Sequence, residues 1–277
     1  MPQLQIAALR PKQDRLRSKI GGVPWGLPPH WWPTCCGHPQ KLLGQFCHEP
    51  PMIDLGEEGA VLHLFQCLEC LGLVDDSSRA AFIVDDSELS QGLVTIPGYD
   101  DKPDLGERLI GEVWIDGWEA NDDGIPTERL NEFLTWETWS PLLKEFPDVR
   151  WFEGREATRF GGSPRWTGNG PGNFPPPPFE FLLQLDSGLY FKGDPPTPDE
   201  AGCPLNITEV VDGRGSHFST TKPDVNKIRL NSPWHITQER FEDHYWVEYT
   251  NLGTDGVAYV FIDRTKTPNE VRWFWNR

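Results

Sequence analysis

Residues 18–46 read SKIGGVPWGLPPHWWPTCCGHPQKLLGQF, and residues 158–185 read TRFGGSPRWTGNGPGNFPPPPFEFLLQL. Each opens on a small polar residue, a base, an apolar residue and two glycines. Each then passes through a stretch rich in proline and tryptophan and closes on an apolar run carrying one Gln. Gly21-Gly22 and Gly161-Gly162 lie 140 positions apart, and Gln45 falls one residue further from its glycines than Gln184 does. Paired glycines at this place suggest backbone with positive φ or a close approach of two segments. Neither a dinucleotide fingerprint nor a Walker pattern is present, so the glycines do not cradle phosphate. The Pro-Trp stretch reads as a stiff extended cover over the strand that follows it, and a groove for a Pro-rich or aromatic ligand is the functional alternative.

A second correspondence follows in the same order. GAVLHLFQC (59–67) and GVAYVFID (256–263) share a glycine followed by an aromatic-bearing strand. Two similar half-units, 1–150 and 151–277, account for both matches. No flexible linker separates them, so they are expected to share a core as one compact domain.

The remaining pattern is strand-rich. The chain has 27 Pro and 27 Gly in 277 residues, which leaves little room for long helices. Short apolar segments bounded by turn residues include VLHLFQC (61–67), AAFIVDD (80–86), GLVTIPG (92–98), FEFLLQLD (179–186), GLYFKGD (188–194), HYWVEYT (244–250), GVAYVFID (256–263) and NEVRWFWN (269–276). In the last, Val271, Trp273 and Trp275 are expected on one face, with Arg272 and Phe274 on the other. Helix is expected over PTERLNEFLTWETWSPLLKEFPD, with Thr127 capping, Leu130, Phe133 and Leu134 inward, and a break at Ser140-Pro141. A further helix is expected over 9–19, and Pro/Gly loops over 167–178 and 194–204. The fold class expected is mainly β (α+β), as two pseudo-symmetric β-rich half-units with few short helices.

Charge is distributed unevenly. The net charge is −17, but residues 1–48 carry +5, residues 49–148 carry −19 and the rest carry −3. An acidic middle repels phosphate backbones and anionic lipid and attracts basic proteins. Nucleic acid and membrane are therefore not expected partners. A solvated acidic face is the plainer account of the same residues. The N-terminal stretch lacks the apolar run of a signal peptide, and no segment has the roughly 18 apolar residues of a span, so a cytoplasmic, monomeric protein is expected.

Five of the six cysteines, Cys35, Cys36, Cys47, Cys67 and Cys70, fall within 36 residues. Cys67-Leu68-Glu69-Cys70 is a C-x-x-C knuckle at a strand end, the arrangement by which zinc ribbons aim two thiolates at one ion. Cys35, Cys36, His38, Cys47 and His48 are the upstream candidates for completing the site. Because adjacent residues rarely ligate one ion together, Cys36 with either Cys35 or His38 is the expected pair. Zinc in a structural role is the cofactor expectation, and reduced thiols without metal are the alternative. The second half-unit has no matching cysteines.

No catalytic residue emerges. The paired acids Asp75-Asp76, Asp85-Asp86, Asp100-Asp101 and Asp122-Asp123 lack calcium-loop spacing. His217, His235 and His244 stand apart from any nucleophile elbow. Asp186 reads as a turn acid. Thirteen tryptophans are abundant, and most are expected in the core. Trp25, Trp31, Trp32, Trp114 and Trp118 are the candidates for an aromatic binding rim that would meet basic side chains by cation–π contact.

The combination SKIGGVPW…CCGHP…KLLGQ with LFQCLEC resembles the YwqG family of bacteria and its eukaryotic relatives, programmed cell death protein 2 and the yeast ribosome-maturation homologue. TRFGGSPRW…FEFLLQLDSG…GVAYVFI resembles the C-terminal half of YwqG-like chains. The likeness covers nearly the full length and is loose over 71–150. It implies a duplicated β-rich fold, with Gly21, Gly22, Gln45, Gly161, Gly162 and Gln184 as framework positions. It also implies a holder of a newly made basic protein, as in the eukaryotic relatives, or an immunity protein against a toxin. An enzyme with a cleft between the lobes is the remaining alternative. At the first knuckle the chain departs from the family pattern: Pro33 stands where the first Cys of C-x-x-C-G would fall, leaving Cys35 or His38 as substitutes.

Overall fold

The computed structural model describes residues 2–6, 16–22, 24–67, 76–89, 113–120, 124–146, 158–167, 174–192, 206–212, 215–221, 237–241, 244–248, 252 and 256–276. Within these the chain is mostly β. In the first half the strands are β1 (Pro2–Ile6), β2 (Lys19–Ile20), β3 (Thr34–Cys35), β4 (His38–Pro39), β5 (Lys41–Cys47), β6 (Val61–Gln66), β7 (Arg79–Val84) and β8 (Val113–Ala120). The second half supplies β9 (Arg159–Phe160), β10 (Glu180–Asp186), β11 (Gly188–Lys192), β12 (Asn206–Asp212), β13 (Gly215–Thr221), β14 (Thr237–Phe241), β15 (His244–Glu248), β16 (Val257–Asp263) and β17 (Glu270–Asn276).

Ten strands form one antiparallel sheet in the order β17-β16-β10-β9-β1-β8-β2-β5-β6-β7. The order is palindromic in kind. A two-residue strand (β2 or β9), a seven-residue strand (β5 or β10) and a hairpin pair (β6-β7 or β16-β17) run outward from the central pair β1-β8. The sheet also returns on itself. Its two edge strands meet where Trp273 Nε1 donates to Ala80 O at 3.1 Å and the Arg79 guanidinium lies 6.0 Å from the Trp273 ring. A five-stranded sheet, β11-β15-β14-β13-β12, and the β3-β4 hairpin complete the set.

The core follows from period-two alternation with both faces covered. On β16, Ala258, Val260 and Ile262 enter a central cluster, together with Ile20, Leu43, Phe46, Leu62 and Leu64 of the first arm and Phe160, Leu183 and Leu185 of the second. The alternate residues Val257, Tyr259 and Phe261 enter an outer cluster with Phe133, Leu134, Trp139, Leu142 and Trp166. The first arm has a smaller outer cluster of Leu27, Trp32, Leu42, Phe65 and Val84. Val271, Trp273 and Trp275 lie on the central side of β17 and Phe274 on the outer side, as the alternation in NEVRWFWN requires.

The helical region differs from expectation in kind and in its break. Thr127–Leu134 is a 3-10 helix with Pro126 at its cap position and no side-chain cap. Phe133 and Leu134 are its buried residues. The chain breaks at Thr135, which is extended, and the α-helix α1 (Trp136–Glu145) then runs through Pro141. Thr138 holds the junction by donating its hydroxyl to Glu132 O, a local bond that competes with continuing the first helix. Packing of Trp139 and Leu142 into the outer cluster outweighs the one backbone bond that Pro141 removes. The helix expected over 9–19 lies mostly outside the described residues, and its last residue, Lys19, belongs to β2. The strand expected at 92–98 and the loop at 194–204 also lie outside them.

Candidate functional site: a thiol cluster beside a clamped cover

The two quoted phrases fold alike. Gly21 and Gly22 have φ of 66° and 70°, and Gly161 and Gly162 both have 64°. These left-handed pairs turn the chain out of β2 and β9, a conformation that favours glycine. Each following long strand carries a bulge, at Leu42/Gly44 in β5 and at Phe181/Leu183 in β10. The carbonyl of the extra residue accepts the first glycine's N–H: Gly21 N to Leu43 O at 2.9 Å, Gly161 N to Leu182 O at 2.8 Å. Below it, Ser18 Oγ accepts Cys47 N–H and Thr158 Oγ1 accepts Asp186 N–H, both at 2.9 Å.

The buried glutamines hold the covers. Gln45 Oε1 accepts Trp25 N–H at 2.6 Å, and its Nε2 donates to Arg17 O at 2.7 Å. Gln184 Oε1 accepts Arg165 N–H at 2.8 Å. The neighbouring strand grips the same residue from its other side. His63 Nε2 lies 3.0 Å from Trp25 O, and Tyr259 OH donates to Arg165 O at 2.7 Å. Burial drives the His63 imidazole down to about 4, so the ring is neutral near pH 7 and Nε2–H is the donor to the carbonyl. Burial likewise pushes the Tyr259 phenol up to about 12. His63 and Tyr259 were not singled out in the sequence, although both occupy the third position of the matched strands VLH and VAY.

Beyond Trp25 the first cover runs through Trp31 and Trp32 into the β3-β4 hairpin. Trp32 Nε1 donates to Gln40 O at 3.0 Å, and its ring lies edge-on to Phe65 at 5.6 Å. The hairpin turns on Cys36 (φ 53°) and Gly37 (φ 75°), the two positive φ values of a type I′ turn. Cys36 is the one non-glycine with positive φ among the described residues, a conformation costing about 1–2 kcal/mol. Gln40 Nε2 donates to Ser77 O at 2.7 Å and Cys67 N donates to Ser78 O at 2.7 Å, so the 76–78 turn ties the hairpin to the end of β6.

That arrangement brings Cys35, Cys36 and Cys67 together, with their Sγ atoms all within 4.8 Å of one another. Cys35 and Cys67 are buried, Cys36 is exposed, and none of the three is in a disulfide. Cys35 Sγ and Cys36 Sγ are 3.6 Å apart. Thiolates about 2.3 Å from one zinc ion sit about 3.8 Å apart at the corners of a tetrahedron. The cluster could hold a metal ion.

Of the two expected pairs, Cys36 with Cys35 is the one seen beside Cys67, and both adjacent thiols face the cluster because the left-handed backbone at Cys36 interrupts the alternation of a strand. Cys47 and His48 do not join it. Cys47 sits at the far end of β5, where burial pushes its thiol up to about 12, and His48 Nδ1 accepts Leu55 N–H at 2.9 Å. Cys70 and the His38 side chain lie outside the described residues.

Three of the five tryptophans expected at a rim pack against the core clusters. Trp32 is buried, Trp31 packs against the first arm's outer cluster, and Trp118 lies edge-on to Phe160 at 5.3 Å against the central core. Trp25 is half-buried in its clamp, and the Trp114 side chain lies outside the described residues. Core packing claims the rings of Trp31, Trp32 and Trp118. Among the described residues the exposed large apolar side chain is Trp136, 51 % accessible, at the start of α1. Asp186 is nearly buried at the end of β10, where Ser187 Oγ lies 3.4 Å from its carboxylate. Among the described residues no helix is long and apolar enough to cross a membrane. Compared with known protein families and with curated proteins, the chain matches none.

Proposed function

We propose that this protein acts by contact, as a protein-binding module whose acidic surface holds a basic partner in the manner of a chaperone. The observation that carries the reading is where the acids of 49–148 stand. Glu49, Asp54, Glu57, Glu58, Asp86, Glu88, Glu128, Glu137 and Glu145 are all exposed, while few bases accompany them in that block. Asp54 is engaged by Arg264 and Glu145 by Arg129. Glu57, Glu58, Asp86 and Glu88 crowd one end of the first arm, where Gly59 lies against the Asp86 side chain. At physiological salt the screening length is about 8 Å, so such neighbours act together on an approaching cation.

The test is binding of purified basic proteins, newly made ribosomal proteins and cationic toxins among them, followed across salt. Reversing Glu57, Glu58 and Asp86 to Lys is expected to slow association at least tenfold at low salt, with little change in thermal stability. Association indifferent both to salt and to the triple reversal would sink the reading. A partner found among toxins and not among nascent basic proteins would turn it toward immunity.

We infer further that the two clamped phrases descend from one duplicated unit, supported by their matching glycines, bulges and carbonyl grips. The ion suited to the thiol cluster is zinc, since three sulfur donors at this spacing select a thiophilic ion that takes tetrahedral sites. Its role there is structural, fastening the β3-β4 hairpin to the end of β6.

A further inference from the structure

The geometry points to a redox-exchangeable fastening: a hydroperoxide oxidises Cys36 and Cys67 to a disulfide, which expels the ion and replaces it with a covalent tie between the β3-β4 turn and the end of β6. This rests on the zinc reading above. Two observations carry it. Cys36 alone of the three sulfurs is exposed, so an oxidant reaches it first. Its Sγ also lies within 4.8 Å of Cys67 Sγ, so a second sulfur is close enough to resolve the oxidised one.

Cys35 Sγ is also close, at 3.6 Å, but consecutive Cα atoms are about 3.8 Å apart, short of the roughly 4.4–6.8 Å that a disulfide spans. Cys67 is therefore the resolving partner. In the first step the Cys36 thiolate attacks the peroxide O–O bond, forming a sulfenic acid and releasing hydroxide (alkoxide from an organic hydroperoxide). In the second the Cys67 thiolate attacks that sulfur, the S–S bond forms and a second hydroxide leaves. Two thiolates give up two electrons, the O–O bond takes them, and the ion loses two of its ligands together.

The hairpin keeps the Gln40–Ser77 bond and the Trp32–Phe65 contact and exchanges the shared ion for the Cys36–Cys67 bond, which leaves Cys35 without an ion. The consequence is confined to the first cover. The second is gripped by Trp166 Nε1 to Phe133 O at 2.7 Å and by Thr167 Oγ1 to Asn276 O at 2.9 Å, with no thiol involved.

The experiment uses the full chain, reduced and reconstituted with zinc. Hydrogen peroxide is added, released zinc is followed with a chromogenic chelator, and disulfides are mapped on non-reduced peptides. Amide exchange of 28–40 and of 163–167 is measured in parallel. The expected result is about one zinc released per chain, a Cys36–Cys67 linkage, exchange in 28–40 that stays slow until thiol reduces the linkage without zinc present, unchanged exchange in 163–167, and reversal by thiol and zinc. Cys36→Ser, where it still takes up zinc, should release it at least tenfold more slowly; where it does not, the linkage mapped on the native chain decides. A reconstituted chain that holds no zinc overturns the zinc reading, and this inference with it. Zinc that survives peroxide, or that leaves with a Cys35–Cys36 or Cys67–Cys70 linkage, overturns the inference while the zinc reading stands.

Discussion

Replacing Gln45 with Leu tests whether the clamp, and not the cover's own proline stiffness, holds the first phrase in place. The Gln45 side chain is fully buried and satisfies two backbone groups, Trp25 N–H and Arg17 C=O. Leu keeps much of its volume and supplies neither partner. A buried backbone group left unsatisfied costs about 1–3 kcal/mol. Trp25 and Arg17 are half-buried, which favours the lower part of that range, so the expected loss is about 2–4 kcal/mol. The assay is urea unfolding followed by circular dichroism and tryptophan fluorescence together, since a single free energy is meaningful only where the two coincide. The cleaner readout is coupling. Gln45 and His63 grip the two sides of one residue, so Gln45→Leu and His63→Leu should be non-additive, by about 0.5–3 kcal/mol. Gln45→Leu and Tyr259→Phe belong to different clamps and should add within about 0.5 kcal/mol. A loss under about 1 kcal/mol for Gln45→Leu, or stronger coupling to Tyr259 than to His63, would refute the reasoning.

Gly161→Ala meets nothing within 4 Å but sits at φ 64°, so thermal unfolding should show a loss of about 1–2 kcal/mol from backbone strain alone. Gly26→Ala adds a contact of 2.6 Å with Leu89 Cδ2 at φ 78° and should cost more in the same assay. His63 binds its proton near pH 4 when folded and near 6.5 when unfolded. The unfolded chain therefore takes up the proton first as pH falls, and stability drops between about 6.5 and 4, by up to about 3 kcal/mol. His63→Gln should flatten that part of the stability–pH curve, and an unchanged slope would place the titration elsewhere. In folded, zinc-free protein at pH 8 iodoacetamide should label exposed Cys36 and leave Cys47 intact, because burial holds the Cys47 thiol near 12; peptide mass spectrometry reads both.

How much of this was legible in the sequence divides along physical lines. Val257–Asp263 and Glu270–Asn276 were readable as strands because their alternation is local: each residue's face is fixed by its neighbours two positions away. The repeated phrase was readable because glycine pairs are rare enough to align. β8 was not found, since VWIDGWEA mixes acids and a glycine into its pattern, and its place between β1 and β2 is set by pairing across more than 90 residues. The helical region misled for a related reason. Spacing at Leu130, Phe133 and Leu134 suits helix in general, and only the junction at Thr135 and Thr138 selects 3-10 before α. For the site, the cysteine spacing pointed to Cys67 and to Cys36 with either Cys35 or His38, without showing how two adjacent thiols could turn the same way. A left-handed Cys36 is a tertiary outcome that spacing does not encode.

The difference between the two covers explains why cysteines accompany only one of the phrases. Both covers are gripped at the same point, Trp25 or Arg165, and both then run on over an arm's outer face. On the second arm that face is broad. Trp166 lies 4.5 Å from Tyr259, the rings of Phe261 and Phe274 stack at 5.6 Å, and the two helices of 127–145 close over them. Buried aromatic area of that extent, at about 25 cal/mol per Å², fixes a cover without further help. Among the described residues the corresponding cluster on the first arm has five buried residues against nine, and the chain leaves it for a two-stranded hairpin, which is marginal in water by itself. A hairpin with so little apolar surface beneath it needs a localised tie, and three sulfurs converging at its turn are placed to supply one. The same reasoning predicts the hierarchy of failure: loss of the thiols should free the first hairpin while the ten-stranded sheet persists, whereas loss of Trp166 should open the second outer core and lower the stability of the whole chain.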